Sequence, residues 1–115
     1  MPENTSIATN SPAIEDIKKL SLNQMAALCH GIAVEKGFWE KERNMGEALM
    51  LIVTELAEAM EAHRVQDHEN FREEIADTFI RLLDLCGGFK IDIEGEIAKK
   101  SVKNKSRPYK HGKIC

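Results

Sequence analysis

The sequence predicts an all-α protein, folded as an antiparallel four-helix bundle. Its longer segments carry apolar residues at helical spacing, each begins after a residue that can cap a helix, and no segment alternates apolar and polar residues as a strand does. The connections between the segments are short, which favours antiparallel neighbours. At 115 residues, 43% of them apolar, the chain is long enough for one domain with its own core.

The first half of the chain predicts a short helix and a longer one. Ser11 is a candidate N-cap and Pro12 a candidate first helical position of the short segment. The longer helix is predicted over 21–36, because Ser21 opens a capping-box pattern and Gly37 can end a helix.

Three further helices are predicted in the second half. Asn44, Asp67 and Asp92 are their candidate N-caps. The helices run in turn to about Val65, to Gly87–Gly88 and to about Asn104.

One domain is predicted over 11–105, between a flexible N-terminal arm over 1–10 and a basic tail over 106–115. The arm has neither the basic start nor the apolar run of a signal peptide or membrane anchor, so no membrane partner is expected. The net charge of -3 and pI near 5.8 argue against a nucleic acid polymer as partner. Three widely spaced cysteines lack metal-ligand spacing, which indicates reduced thiols and a cytoplasmic location.

Two pairs of acidic residues at a spacing of three lie on consecutive predicted helices. Glu55 and Glu58 occur in "TELAEAME", and Glu74 and Asp77 occur in "EEIADTF". In an antiparallel hairpin the two pairs are symmetric about residue 66, inside the predicted turn, so the four carboxylates are expected to converge. Converging carboxylates repel one another unless cations or protons neutralise them, and hard oxygen ligands suit Mg²⁺. The pattern therefore predicts a Mg²⁺ site.

The alternative interpretation is that both pairs are solvated helix faces, which is common for acidic residues on helices. Apolar neighbours one turn away place the pairs at the border of the apolar stripe and weaken that alternative. Three other acids, Glu61, Glu73 and Asp84, are expected to face solvent.

The acidic motifs "TELAEAME" and "EEIADTF", with "EKGFWEKERN" before them and "KKSVKNKSRPYKHGK" after them, resemble the all-α nucleoside triphosphate pyrophosphohydrolases, the MazG-like superfamily. The resemblance covers most of the chain. It implies a helical bundle that binds Mg²⁺ and cleaves a nucleoside triphosphate into the monophosphate and pyrophosphate. Carried over by position, it implies Glu55, Glu58, Glu74 and Asp77 as metal ligands. Thr54 departs from the pattern, since many members carry a further glutamate there.

Other residues are candidates for catalysis and substrate binding. Either Glu55 or Glu58 is the candidate proton acceptor. Trp39 is a candidate to stack on a nucleobase, with a core or interface plug as the alternative. The candidates for contact with the triphosphate are Lys100, Asn104 and Arg107, with Arg81 ranked below them; a solvated tail is the alternative for the cations.

The acidic pairs predict a Mg²⁺ site, and the resemblance implies a Mg²⁺-dependent nucleotide pyrophosphohydrolase acting on (deoxy)nucleoside triphosphates, with nucleotide-pool cleaning as its role. A dUTPase or a phosphoribosyl-ATP pyrophosphohydrolase of the same superfamily would share the acids and differ in the base pocket. A non-catalytic helical module that binds metal or a partner protein is the alternative from another class. Long apolar faces such as "ALMLIV" predict a homo-oligomer. The resemblance implies that it is a homodimer or homotetramer.

Overall fold

The computed structural model describes residues 12–114, and every regular element within that range is helical. The predicted all-α class is therefore confirmed. The elements are α1 (Ile14–Lys18), α2 (Leu22–Glu35), α3 (Met45–Arg64), α4 (His68–Gly88), α5 (Ile93–Lys105) and a final 3-10 turn (Tyr109–Gly112).

The four longer helices begin at the predicted caps. Ser21 accepts the backbone N–H of Gln24 on its side chain, and the Gln24 side chain accepts the N–H of Ser21 in return. The side chains of Asn44, Asp67 and Asp92 each accept the backbone N–H three residues further on. Such caps are each worth about 1 kcal/mol, because they satisfy an N–H that the first helical turn leaves open.

The prediction for the start of α1 was wrong. Its N-cap is Ala13, whose side chain cannot accept a hydrogen bond, and Pro12 precedes the helix. Ser11 and the arm predicted over 1–10 lie outside the described residues.

Helix α4 is the centre of the fold, since α2 and α3 both pack against it. Two buried clusters mark these contacts. Ala26 and Cys29 meet Leu83 and Cys86 on the α2 side, while on the α3 side the cluster is Ala48, Ile52 and Leu85. Helices α2 and α4 approach closely, since a Cβ added to Gly87 would lie 2.6 Å from the carbonyl oxygen of Ala26.

The turn between α3 and α4 lies where the symmetry of the acidic pairs predicts it. Gln66 has a φ of 60°, in the left-handed region, and its N–H donates to the carbonyl oxygen of His63. Asp67 then caps α4. The hairpin reverses around residue 66, which brings equivalent positions of the two helices to the same height.

Helix α5 is peripheral. None of its residues is buried, and its principal contact is with α2. Asn23 holds this contact: its backbone N–H donates to Glu94 at 2.7 Å and its side-chain amide donates to Asp92 at 2.8 Å. Within one chain, the core is therefore built by three helices, and the fourth is attached at its N-terminal end.

Helix α3 carries a second apolar stripe that no described part of the chain covers. Leu49, Val53, Leu56 and Met60 recur at spacings of four, three and four, so they share one face. Their side chains are between 48% and 59% exposed. The face that packs on α4 is a different one, formed by residues such as Ile52.

No helix in the described range is both long enough and apolar enough to cross a membrane.

Candidate functional site

Three of the four predicted metal ligands converge across the α3–α4 hairpin. Glu55, Glu58 and Glu74 each place one carboxylate oxygen within 4.8 Å of the others, and we call these three residues the acid cluster. Glu55 is buried, Glu74 is half-buried and Glu58 is exposed. The predicted convergence is thus confirmed for three residues. The spacing of three puts Glu55 and Glu58 on one face of α3, and the turn at residue 66 brings Glu74 of α4 to the same height.

Asp77, the fourth predicted ligand, is not in the acid cluster. Its carboxylate lies close enough to raise the pKa of Glu58 by repulsion, and Asp77 lines the adjoining cleft.

Glu55 has a cationic partner within the site. The guanidinium of Arg81, on α4, donates from Nε to Glu55 Oε2 at 2.5 Å. This hydrogen bond is the main reason that the pKa of Glu55 lies below its usual value. The ion pair keeps Glu55 ionised although only 8% of the residue is exposed.

Glu58 and Glu74 are perturbed in the opposite direction. The pKa of Glu58 is raised, first by a hydrogen bond that its protonated form makes with Glu55 and then by the charge of Glu55. The pKa of Glu74 is raised first by loss of hydration and then by the charge of Glu58. Glu58 and Glu74 therefore hold their protons more tightly than separate glutamates would, since negative charges at this range repel one another.

One oxygen of the cluster lacks any partner. Glu74 Oε1 is sealed from solvent and accepts no hydrogen bond from the described residues. A buried carboxylate oxygen left in this way is costly, and a bound cation would satisfy it. This oxygen, together with the all-oxygen donor set, fits a hard divalent ion such as Mg²⁺.

A cleft of about 290 Å³ opens beside the acid cluster, between α2, α3 and α4. Apolar side chains form part of its wall: Ile32, Ala33, Phe38 and Ile80. Acids and bases form the rest: Glu55, Asp77, Asp84, Lys36, Arg43 and Arg81, with Cys29 beside them. The cleft thus combines an apolar surface with charged side chains, and Glu55 belongs both to the cleft and to the acid cluster.

Sequence reasoning missed two of the cleft's cations, Lys36 and Arg43. Lys36 precedes and Arg43 follows the aromatic pair Phe38–Trp39, and this position beside a candidate base-binding residue could have identified them from the sequence. Arg43 donates to the carbonyl oxygen of Phe38 at 2.7 Å and its guanidinium lies 5.0 Å from the centre of the Trp39 ring. It therefore also fixes the loop between α2 and α3.

Trp39 is packed rather than open. Its ring meets His30 and Phe89 edge-on, at centroid distances of 4.7 Å and 5.6 Å, and Arg43 covers it. A Cβ added to Gly88 would overlap the ring, so this glycine is needed for close approach. Trp39 is not among the residues that line the cleft, whereas its neighbour Phe38 is. These contacts favour the packing role over base stacking.

The expectation that Asp84 faces solvent was wrong. The residue is only 6% exposed, and its Oδ1 accepts hydrogen bonds from Trp39 Nε1 and from His30 Nδ1, both at 3.0 Å. A carboxylate only accepts, so His30 carries its hydrogen on Nδ1. Asp84 lies seven residues after Asp77, and thus on the same helix face. That spacing was a signal that both acids face the cleft, although it does not show which of the two is buried.

The predicted contacts from the end of the chain are not brought to the cleft. Lys100 and Asn104 are exposed on α5, and neither lines the cleft. Arg107 lines a separate open hollow with Lys110, His111 and Lys113. Among the predicted substrate contacts, only Arg81 both lines the cleft and touches the acid cluster.

The fold and site define an all-helical protein with a three-glutamate cluster beside a charged cleft. Compared with protein-family models, curated proteins and solved structures, the chain matches none of them.

Proposed function

We propose that this protein is a Mg²⁺-dependent nucleotide pyrophosphohydrolase of the MazG-like kind, which cleaves (deoxy)nucleoside triphosphates to the monophosphate and pyrophosphate. The observation that carries the proposal is the acid cluster, with three glutamate oxygens within 4.8 Å of one another and Glu74 Oε1 unpartnered. Such a cluster needs a cation, and Mg²⁺ bound by carboxylates completes its coordination with waters and phosphate oxygens. Two of the segments that resemble the superfamily, "TELAEAME" and "EEIADTF", carry the residues of this cluster.

Glu55, Glu58 and Glu74 would hold the metal, with Asp77 beside them. Bound Mg²⁺ would neutralise phosphate charge and lower the pKa of a coordinated water. Thr54, at the position of the further glutamate in many members, turns its hydroxyl to the carbonyl oxygen of Leu51 at 2.6 Å and adds no ligand.

The cleft suits a nucleotide whose phosphates reach the acid cluster. Lys36 and Arg81 provide positive charge for a triphosphate, while Arg43 lies over the Trp39 ring. Ile32 and Phe38 supply apolar surface for a base. Arg81 lies between the two parts, since it lines the cleft and contacts Glu55. Base stacking on Trp39 stays a prediction.

Glu58 is the better of the two candidate bases. Arg81 occupies Glu55 and lowers its pKa, which weakens it as a proton acceptor. Glu58 is exposed and no cation is paired with it in the described residues, so its carboxylate is the more accessible of the two to a water. Glu58 would take the proton of the attacking water as the bond to the leaving pyrophosphate breaks.

The active form is a homodimer or homotetramer in this proposal. The exposed stripe of Leu49, Val53, Leu56 and Met60 is a second apolar face, and another copy of the chain would cover it. Lys100, Asn104 and Arg107 remain proposed substrate contacts in the assembly, where a neighbouring copy can supply them to the cleft. A cytoplasmic location is also part of the proposal, in keeping with the buried free thiols of Cys29 and Cys86.

The test is to incubate the protein with a panel of nucleoside and deoxynucleoside triphosphates and Mg²⁺, and to measure pyrophosphate. Pyrophosphate release that EDTA abolishes is the expected result. Activity confined to dUTP or to phosphoribosyl-ATP would assign the protein to one of those two branches. If no triphosphate is cleaved while Mg²⁺ still raises the melting temperature, the enzyme proposal fails, and a non-catalytic metal-binding module is the correct interpretation.

A further inference from the structure

Asp84 has one oxygen that the protein leaves unused. Both of its hydrogen-bond donors, Trp39 Nε1 and His30 Nδ1, address Oδ1. Oδ2 accepts no hydrogen bond from the residues that the structure describes, and it is not among the atoms sealed from solvent. The side chain as a whole is only 9% exposed. The two hydrogen bonds to Oδ1 therefore fix the orientation of the carboxylate and leave Oδ2 free to accept a hydrogen bond from a ligand.

The small exposure of Asp84 is toward the cleft, because Asp84 is one of the cleft's lining residues. Cys29 lies near it, since the pKa of the Cys29 thiol is raised first by burial and then by the charge of Asp84. The apolar Ile32, Ala33 and Ile80 line the same cleft. Asp84 follows Asp77 by seven residues, which is about 10 Å along the helix axis at the usual rise. Glu74, in the acid cluster, precedes Asp77 by three residues and is therefore still further from Asp84 along α4. Oδ2 of Asp84 thus lies at the end of the cleft away from the acid cluster. The base of a nucleotide would lie at this end if its phosphates bind at the cluster.

We propose that Asp84 determines base specificity, with Oδ2 accepting an N–H from the amino group of a cytosine, adenine or guanine base. This inference rests on the proposed function, and it names the substrate class. A carboxylate oxygen accepts hydrogen bonds only, so it pairs with an amino group and repels a carbonyl oxygen in the same place. Uracil and thymine have a carbonyl oxygen on each side of their single ring N–H. These oxygens would be repelled by Oδ2, so we expect both bases to bind less tightly than cytosine, adenine or guanine.

The probes are dCMP and dUMP, which differ in one amino group against one carbonyl oxygen. Their binding in the presence of Mg²⁺ is measured by titration calorimetry on the wild type and on Asp84→Asn, which keeps the shape of the side chain. The wild type should bind dCMP at least about tenfold more tightly than dUMP, since a buried charged acceptor left unpaired is costly. In Asp84→Asn the ratio should fall at least about tenfold, because the amide can present N–H in place of Oδ2.

Trp39 provides the control for folding. It is the one tryptophan of the chain, so its fluorescence reports directly on the hydrogen bond to Asp84 and on the surrounding packing. An unchanged emission maximum in Asp84→Asn shows that the amide oxygen still accepts from Trp39. Glu69→Gln makes the same chemical change at an exposed position on α4 and should leave the dCMP to dUMP ratio unchanged.

The outcomes separate this inference from the proposed function. If both monophosphates weaken equally in Asp84→Asn, or if the wild type binds both alike or neither, Asp84 is only structural and the inference is overturned. Triphosphate cleavage with equal efficiency for dCTP and dUTP would also overturn it and leave the pyrophosphohydrolase intact. If the protein binds dCMP more tightly than dUMP but cleaves no triphosphate, the role of Asp84 in base specificity is supported and the proposed pyrophosphohydrolase activity is refuted.

Discussion

Arg81 and Glu55 form the ion pair that joins the acid cluster to the cleft. The guanidinium comes from α4 and the carboxylate from α3, with 2.5 Å between Nε and Oε2. Arg81 is thus the cation that reduces the repulsion within the acid cluster when no metal is bound. It also lines the cleft, so the same side chain is available to a phosphate.

Replacing Arg81 should separate these two roles. In Arg81→Gln the nearly buried Glu55 loses its cation, and we expect the metal-free protein to be destabilised by about 1–2 kcal/mol, less than for a fully buried pair because the Arg81 side chain is 36% exposed. Mg²⁺ should then bind more tightly, since Arg81 no longer competes for Glu55. Urea unfolding with and without Mg²⁺ measures both effects.

A second arginine provides the matched control. Arg64 also pairs with a glutamate of α3, Glu61, but at 3.9 Å and with both side chains about two-thirds exposed. Arg64→Gln should change stability by less than about 0.5 kcal/mol, and it should not change Mg²⁺ affinity. Equal behaviour of the two variants would contradict the role given to Arg81.

Glu58→Gln should abolish pyrophosphate release without weakening the metal-free fold. The change removes one negative charge from the acid cluster at nearly constant shape, so the repulsion on Glu55 and Glu74 falls and the free energy of unfolding stays equal or rises. Glu61→Gln, an exposed change one turn further along α3, should leave activity intact. Clear destabilisation of metal-free Glu58→Gln would instead indicate a structural role for Glu58.

The contribution of Glu58 and Glu74 to the stability of the metal-free protein should fall as pH rises above about 4.5. The folded-state pKa values of Glu58 and Glu74 are raised above the ordinary value of 4.5, so their contribution is fully present below that pH and is lost as pH rises through the folded-state values. Glu55 acts oppositely: its pKa is lowered, so its contribution is lost on the acid side.

Mg²⁺ should cancel the loss at higher pH, because the cation replaces the protons that the acid cluster would otherwise retain. Denaturation midpoints measured from about pH 4 to about pH 7, with and without Mg²⁺, check this sign. The metal-free wild type should lose stability relative to metal-free Glu58→Gln as the pH rises above about 4.5. A wild-type midpoint that instead rises relative to that of Glu58→Gln would contradict the prediction.

Gly88→Ala should destabilise the fold by about 1–3 kcal/mol, because the added Cβ would overlap the ring of Trp39. The change should also shift the fluorescence of Trp39, which rests against Gly88. Gly46→Ala is the matched control near the start of α3. Its Cβ would lie 3.4 Å from Asn44 Oδ1, and it should be neutral or slightly stabilising through helix propensity.

A charge on the exposed stripe of α3 should break the proposed assembly. Val53 is 51% exposed within one chain, so Val53→Glu should cost an isolated chain little, yet it would place a charge in an apolar contact between copies. Sedimentation should show a multiple of 13.0 kDa for the wild type and 13.0 kDa for the variant. Val65→Glu, at the end of α3 and outside the stripe, should leave the mass unchanged. A wild type of 13.0 kDa would refute the assembly.

The helices and the meeting of the acids followed from local chemistry that a sequence displays. Capping side chains at Ser21, Asn44, Asp67 and Asp92 fixed four helix starts, because a cap needs only an oxygen near N–H groups three residues away. A spacing of three and a turn at residue 66 brought Glu55, Glu58 and Glu74 together.

The environment of each acid was decided by tertiary structure, because burial and ion pairing depend on residues far apart in the chain. Nothing local distinguishes the buried Asp84 from the exposed Asp77; the difference comes from Trp39 and His30, which reach Asp84 from α2 and the loop after it. Gly87 and Gly88 illustrate the same limit. The sequence predicts that a helix ends at these two glycines, and α4 does end at Gly88. The structure shows in addition that Gly87 lies against the backbone of Ala26 and Gly88 against the ring of Trp39, where a side chain would not fit.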